Sequence, residues 1–216
     1  MRLLLTSGGI SNRSIAAAFN ELVGKNPNQI KIGYIPTAAN AEAGNKDWVI
    51  KDFLNFWRYG YNYIDIVDPS AADIDWRNRL ADVDVIMPSG GNTFHLLDQA
   101  RKTGFEKWLK QNLKNKVYVG GSASSILLGP TVGTAGGIKN YGDENLPGMK
   151  DLTGLALVDF EIAPHVPIWT SYELVEEYAR KNNRTVYALD DESAIKVVGK
   201  KIEVVSEGQW KLFKNK

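Results

Sequence analysis

The run Val117-Tyr118-Val119-Gly120-Gly121-Ser122-Ala123-Ser124-Ser125-Ile126-Leu127-Leu128 decides how the rest of the chain is read. Val117 to Val119 is a short β-branched and aromatic segment ending at glycines, the signature of a buried strand. Ala123 to Leu128 is compact and apolar enough to open a helix, and Ser122 stands at the corner. A strand that turns sharply into a helix over a serine, with tiny residues two positions either side, has the geometry of a nucleophile elbow. Gly120 fills the first of those positions, and Ser124 stands where the motif carries glycine. The helix start aims backbone N–H groups at whatever develops on Ser122, which suits an oxyanion. On this stretch alone, a Gly-Gly turn with an incidental serine fits as well.

Outward from the elbow, strands alternate with amphipathic helices. Upstream, strands are expected over Leu3–Leu5, Ile30–Ile35, Tyr63–Val67 and Val83–Met87. Ile15, Ala18, Phe19 and Leu22 share one helical face, ended near Gly24, and Ile50, Phe53, Leu54 and Trp57 repeat the spacing. A further helix begins near Thr93, and another buries Phe105, Trp108, Leu109 and Leu113. This alternation of nearly all-apolar strands with helices predicts an α/β fold, a mostly parallel sheet between two helical layers. In such sheets ligands bind beyond the carboxyl ends of the strands. Three glycine doublets lie at those ends: Gly8-Gly9, Gly90-Gly91 and Gly120-Gly121.

Downstream the pattern loosens. Residues 131–155 read as a long glycine-rich loop containing a hairpin, and Leu157–Ile162 as a strand running into Ala163-Pro164-His165. Thr170-Ser171-Tyr172-Glu173 reads as a capping box opening a helix with Leu174, Val175 and Tyr178 inward. Thr185–Leu189 and Ala194–Val198 are strands flanking the turn Asp190-Asp191-Glu192. Lys201–Val205 and Trp210–Phe213 are expected to close the chain as an antiparallel hairpin.

The 216 residues are read as a single domain, 1–216. With Lys+Arg 26 against Asp+Glu 25, the formal charge of +1 gives no basic footprint for nucleic acid or anionic membrane. Cysteine is absent, which removes disulfides and thiol nucleophiles and fits a reducing, cytoplasmic setting. Met1-Arg2-Leu3-Leu4-Leu5 is too short an apolar run for a signal peptide, and no stretch approaches a membrane span. A soluble protein, monomer or homodimer, is expected, with no metal and no cofactor. There is no Walker A sequence and no Gly-x-Gly-x-x-Gly after the first strand.

Only two histidines exist, so the search for a base is short. His95 lies inside a helix start, where a partly exposed or capping role explains it. His165 follows a strand and a proline, where a ring can be aimed into a cleft. With Ser122 and a strand-end carboxylate it completes a Ser-His-acid set, the acid being Asp191 or, less favoured, Glu192.

Pro88-Ser89-Gly90-Gly91-Asn92-Thr93-Phe94-His95-Leu96-Leu97, then Gly120-Gly121-Ser122-Ala123, then Pro164-His165, together resemble the peptidase E family of serine peptidases. That family, peptidase family S51, contains aspartyl dipeptidases and cyanophycinases, and the resemblance runs from the first strand to about Val198. It implies a class I glutamine amidotransferase-like, flavodoxin-like fold, with Ser122 as nucleophile and His165 as base. Matching Leu189-Asp190-Asp191-Glu192-Ser193-Ala194-Ile195 to the pattern puts Asp191 at the acid position. It implies oxyanion amides from Gly90, Gly91 and Ala123, and substrate contacts from Asn92, Thr93 and Gly121. The implied activity is hydrolysis of small peptides, dipeptidase-like, through an acyl-enzyme. An esterase or amidase, or a ligand-binding member that has lost turnover, would share these residues.

Two departures bear on that implication. Ser124 replaces the elbow glycine, and residues 166–178 lack the arginine-bearing stretch that resembles an aspartate-recognition element. Arg180, Lys139 and Lys150 are the cations nearby in sequence, none expected in the cleft, whereas Trp169, Tyr172 and Tyr141 are expected to line it. Asp-X dipeptides are therefore not expected to be preferred.

Overall fold

The computed structural model of the protein describes residues 1–139 and 141–214; Asn140, in the loop expected over 131–155, lies outside the described residues. The first half runs β1 (Arg2–Thr6), α1 (Arg13–Val23), β2 (Lys31–Ile35), α2 (Thr37–Asn40), α3 (Asp47–Arg58), β3 (Tyr63–Ile66), α4 (Trp76–Ala81) and β4 (Val85–Pro88). The second runs α5 (Thr93–Lys102), α6 (Phe105–Asn112), β5 (Val117–Gly121), α7 (Ala123–Ile126), α8 (Thr134–Gly137), β6 (Glu161–Ala163) and α9 (Tyr172–Asn182). Strands β7 (Val186–Leu189), β8 (Ser193–Val198), β9 (Lys201–Ser206) and β10 (Trp210–Phe213) complete it.

Seven strands form one sheet in the order β3-β2-β4-β5-β1-β8-β9. The first five are mutually parallel, whereas β8 pairs antiparallel with β1, and β9 pairs antiparallel with β8. Alternate residues feed opposite faces. Leu3, Leu5, Ile86 and Tyr118 pack under α4 to α7, while Leu4, Val85, Val117 and Val119 pack under α1 and α3. Both faces are covered, so Leu3, Leu4 and Leu5 are all fully buried and the strand reads apolar without alternation. A second sheet, β10-β7-β6, packs with α9 around Val175, Tyr178 and Val186.

Five expectations need correction. On α3, Ile50, Leu54 and Trp57 are exposed; the buried side carries Asn55 and Phe56, with Phe53 partly covered. Phe53 and Phe56 pack edge-on against each other and around Tyr34, and that aromatic contact sets the helix rotation. The terminal strands do not pair with each other: β9 pairs with β8 across Gly199, and β10 pairs with β7. The strand expected over 157–162 begins only at Glu161, and α9 is capped by Ser171, one residue later than the proposed box. Among its described residues, the 131–155 loop holds a short helix, α8, and one antiparallel bridge, Thr131 to Thr153, in place of a hairpin.

Candidate active site

Ser122 sits between β5 and α7 with φ 50° and ψ −110°, a conformation that side chains with a Cβ rarely adopt. The close approach of strand and helix explains Gly120. A Cβ there would lie 2.8 Å from both the backbone nitrogen and Oγ of Ser125. The end of β1 holds the corner shut: the Ser122 amide donates to the Thr6 carbonyl at 3.1 Å, and Ser125 Oγ donates to it at 2.7 Å. Ser124 is fully buried, accepting from the Gly121 amide at 2.8 Å and donating to the Pro88 carbonyl at 2.6 Å. The hydroxyl at the departed position thus binds the elbow to the end of β4 and stays out of the cleft.

His165 follows β6 with φ 60° and its Nε2 lies 2.8 Å from Ser122 Oγ. Its Nδ1 lies 2.6 Å from Asp191 Oδ1, in the turn between β7 and β8. Burial works to raise the Asp191 carboxyl, but the hydrogen bond and charge of His165, together with Ser7, hold it below the ordinary carboxylate value. Glu192 points elsewhere, accepting from Asn12 Nδ2 at 3.0 Å. The choice between neighbouring carboxylates therefore falls geometrically on Asp191.

Two neighbours of this chain carry no motif. Ser7 Oγ accepts from the His165 amide at 2.8 Å and donates to Asp191 Oδ1 at 3.0 Å, tying the loop after β1 to both partners. The Trp169 ring lies over the imidazole with centroids 4.1 Å apart. Trp169 is expected at the cleft, though not against the imidazole; the Ser7 contacts could have been suspected only from its place at the cleft end of β1.

The three side chains open into a cavity of about 390 Å³ at the carboxyl ends of β1, β4 and β5, as the parallel arrangement predicts. Gly8, Gly9, Gly90, Gly91 and Gly121 line it, so all three glycine doublets contribute. Gly90 comes closest to the elbow: a Cβ there would lie 3.3 Å from Ser122 Cβ. Ala123 supplies the first helical amide beyond Ser122. Thr93 also lines the cavity; its amide donates to Asp143 Oδ2 at 2.6 Å, and its buried hydroxyl takes no hydrogen-bond partner among the described residues. Asn92 does not line it. Its Oδ1 caps α5 through the His95 amide and its Nδ2 donates to the Glu144 carbonyl, so both ends are engaged. His95 is partly exposed on α5 and does not line the cavity.

Of the three aromatics expected around the cleft, Tyr141 and Trp169 line it; Tyr172 does not, and carries the Lys211 ammonium over its ring. The lining also contains Glu42, Lys51, Asp52 and Asp143, which the sequence had not pointed to. Burial raises the carboxyls of Asp52 and Asp143, the former to about 7. Among the described residues, no group of three His, Asp or Glu side chains could hold a metal ion, and no helix is long and apolar enough to cross a membrane.

The model of Peptidase family S51 matches residues 3–205. An uncharacterised peptidase of Pasteurella multocida is 32% identical over 149 residues, spanning 67% of this chain and 68% of its own. A peptidase E of a Shewanella species is 33% identical over 92 residues, which span 42% of this chain and 36% of its own. The crystal structure of a Listeria monocytogenes protein, a candidate peptidase E, superposes with a TM-score of 0.78 at 23% identity. That superposition covers 96% of this chain and 98% of the other, and the shared fold is class I glutamine amidotransferase-like. With the family model spanning nearly the whole chain and elbow, histidine and glycine doublets meeting in one cleft, the protein belongs to Peptidase family S51.

Proposed function

We propose that the protein is a serine-type exopeptidase that cleaves small peptides, dipeptides among them, through an acyl-enzyme. The observation that carries this reading is the unbroken line from Ser122 Oγ through His165 to Asp191, at 2.8 and 2.6 Å, inside a cavity of about 390 Å³. That volume lies at the low end of small-ligand sites, roughly 300–1,000 Å³. His165 Nε2 takes the proton from Ser122 Oγ as the oxygen attacks the peptide carbonyl. The resulting oxyanion is met by the amides of Ala123 and the Gly90-Gly91 turn. The imidazolium then protonates the leaving amine, and the same nitrogen deprotonates the water that releases the acyl group. Asp191 holds the ring in the required tautomer and stabilises its charged form. Besides Asp191, an acidic first residue finds three acidic side chains, Glu42, Asp52 and Asp143, against the single ammonium of Lys51 in this lining.

The test pairs a fluorophosphonate probe with a dipeptide series. Labelling of Ser122 is expected, together with hydrolysis of Leu-Leu and Ala-Leu and no preference for Asp-Leu in kcat/KM. Ser122→Ala should abolish labelling and lower kcat on the order of 10⁵-fold or more. Wild-type turnover in that variant, or an unlabelled Ser122, would remove the mechanism.

A further inference from the structure

Asp52 is an ionisable group in the cleft that this hydrolytic cycle does not use. It stands on α3, one turn after Trp48, whose ring edge packs 3.7 Å from where Gly90 would carry a Cβ. The helix therefore presents Trp48 beside the elbow and Asp52 further along the wall. Gly9 makes room for the carboxyl: a Cβ on that residue would lie 2.7 Å from Asp52 Oδ1. Tyr34, buried in β2, donates to Oδ2 at 3.2 Å. Oδ1 takes no hydrogen bond from the described residues and lies against Gly9 at the cavity wall.

The other acids of the lining are differently placed. Asp191 is committed to His165 and Ser7, and Asp143 accepts from the Thr93 amide. Glu42 stands on the loop after α2. Lys51, the preceding residue on α3, also lines the cavity and its charge works to lower the Asp52 carboxyl, but burial outweighs it and neither Asp52 oxygen is hydrogen-bonded to that ammonium among the described residues. A carboxylate recessed in this way, with one oxygen on a hydroxyl and one left open, matches a substrate N–H⁺ donor. It does not match an acyl or apolar group.

We propose that Asp52 is a specificity-determining residue that seats an ammonium group of the substrate on the Gly9 side of Ser122. The proposal rests on the reading of the cleft as a peptide site and names what that site selects: peptides bearing a free amine, terminal or on the first side chain. The elevated Asp52 carboxyl supports it, because burial that disfavours the lone charge is relieved when a cation docks. Tyr34 from β2, Lys51 from α3 itself, Glu42 and Asp143 from the loops, and Asp191 and His165 across the cleft are the titratable groups around it.

Calorimetric titration of the Ser122→Ala protein tests this without turnover. Leucinamide is compared with its deamino isostere 4-methylpentanamide, and 6-aminohexanamide with hexanamide. At least one amine is expected to bind about tenfold or more tightly than its neutral partner. The first pair reports a terminal amine and the second a side-chain amine. Adding Asp52→Asn should erase the preference while leaving the neutral amides unchanged, which shows the cleft intact. The 6-aminohexanamide preference, if that arm is the positive one, should also grow from pH 5.5 to 8 as Asp52 ionises. Equal binding of amine and isostere, no binding of any amide, or a preference that survives Asp52→Asn would overturn the proposal. Fluorophosphonate labelling of the parent separates the two failures: an unlabelled Ser122 with the amine preference intact removes the peptidase chemistry and leaves the subsite standing.

Discussion

The three side chains that meet in the cleft are readable one by one. A serine between Gly120-Gly121 and a helix start, and one strand-end histidine of two, leave little room for other pairings. Ser7 and Asp52 are not readable in this way, because their roles arise from contacts with residues far along the chain or on a facing element. Asn92 shows the reverse. The family resemblance implies substrate contact for it, yet its place before α5 makes it the cap of that helix, and capping engages its oxygen. Asp52 also leads to a prediction about stability. Burial raises its carboxyl from 3.8 to about 7 in the folded protein, so the folded state holds that proton more tightly than the unfolded chain. The stabilisation tied to this proton is present below about pH 4 and is lost as pH rises through 7. Asp52→Asn lacks the charge altogether. Its unfolding free energy relative to wild type should therefore climb between pH 4 and pH 8, by on the order of 2–4 kcal/mol. Urea unfolding at the two pH values checks it, and a pH-independent difference would show that the carboxyl is not held neutral.

Among the elements, β1 to β5 and their helices follow from apolar runs punctuated by glycine and proline, and the doublets mark where those runs meet ligand. The rotation of α3 does not follow. Its sequence offers two apolar stripes at helical spacing, Ile50-Leu54-Trp57 and Val49-Phe53-Phe56. Tertiary contact with Tyr34 selects the second. The prediction is a contrast between adjacent residues. Phe56→Ala, which empties a fully buried position, should cost about 3–5 kcal/mol, whereas Trp57→Gln should stay within about 0.5 kcal/mol. Denaturant midpoints at equal m-value measure both; a large loss at Trp57 would mean that the stripe it belongs to is covered. The C-terminal strands are misjudged for a related reason. Neighbouring strands pair by default, but Asp190 takes the Gln209 amide and draws β10 across to β7.

At the scale of the molecule, the cleft lies where the large sheet meets the small one. Ser122 comes from the large sheet, His165 from the end of β6 in the small one, and Asp191 from the turn that passes between them. The antiparallel seat of β1 against β8 pairs Arg2 with Val198 in the middle of the large sheet. A chain ending at Glu192 keeps Ser122, His165 and Asp191 but leaves β1 with an open edge. It should fail to react with a fluorophosphonate, and labelling at the full-length rate would show that β8 is dispensable. The same pairing sets a clock on biosynthesis. At about 5–20 residues per second, β1 leaves the ribosome roughly 10–40 s before the strand that flanks it is made. Until then an apolar, half-paired strand must be sheltered by chaperone or collapse. A nascent chain that already carries the nucleophile and base has no competent cleft, so a peptide hydrolase built on this plan stays silent among half-made neighbours until β8 has been made and seated.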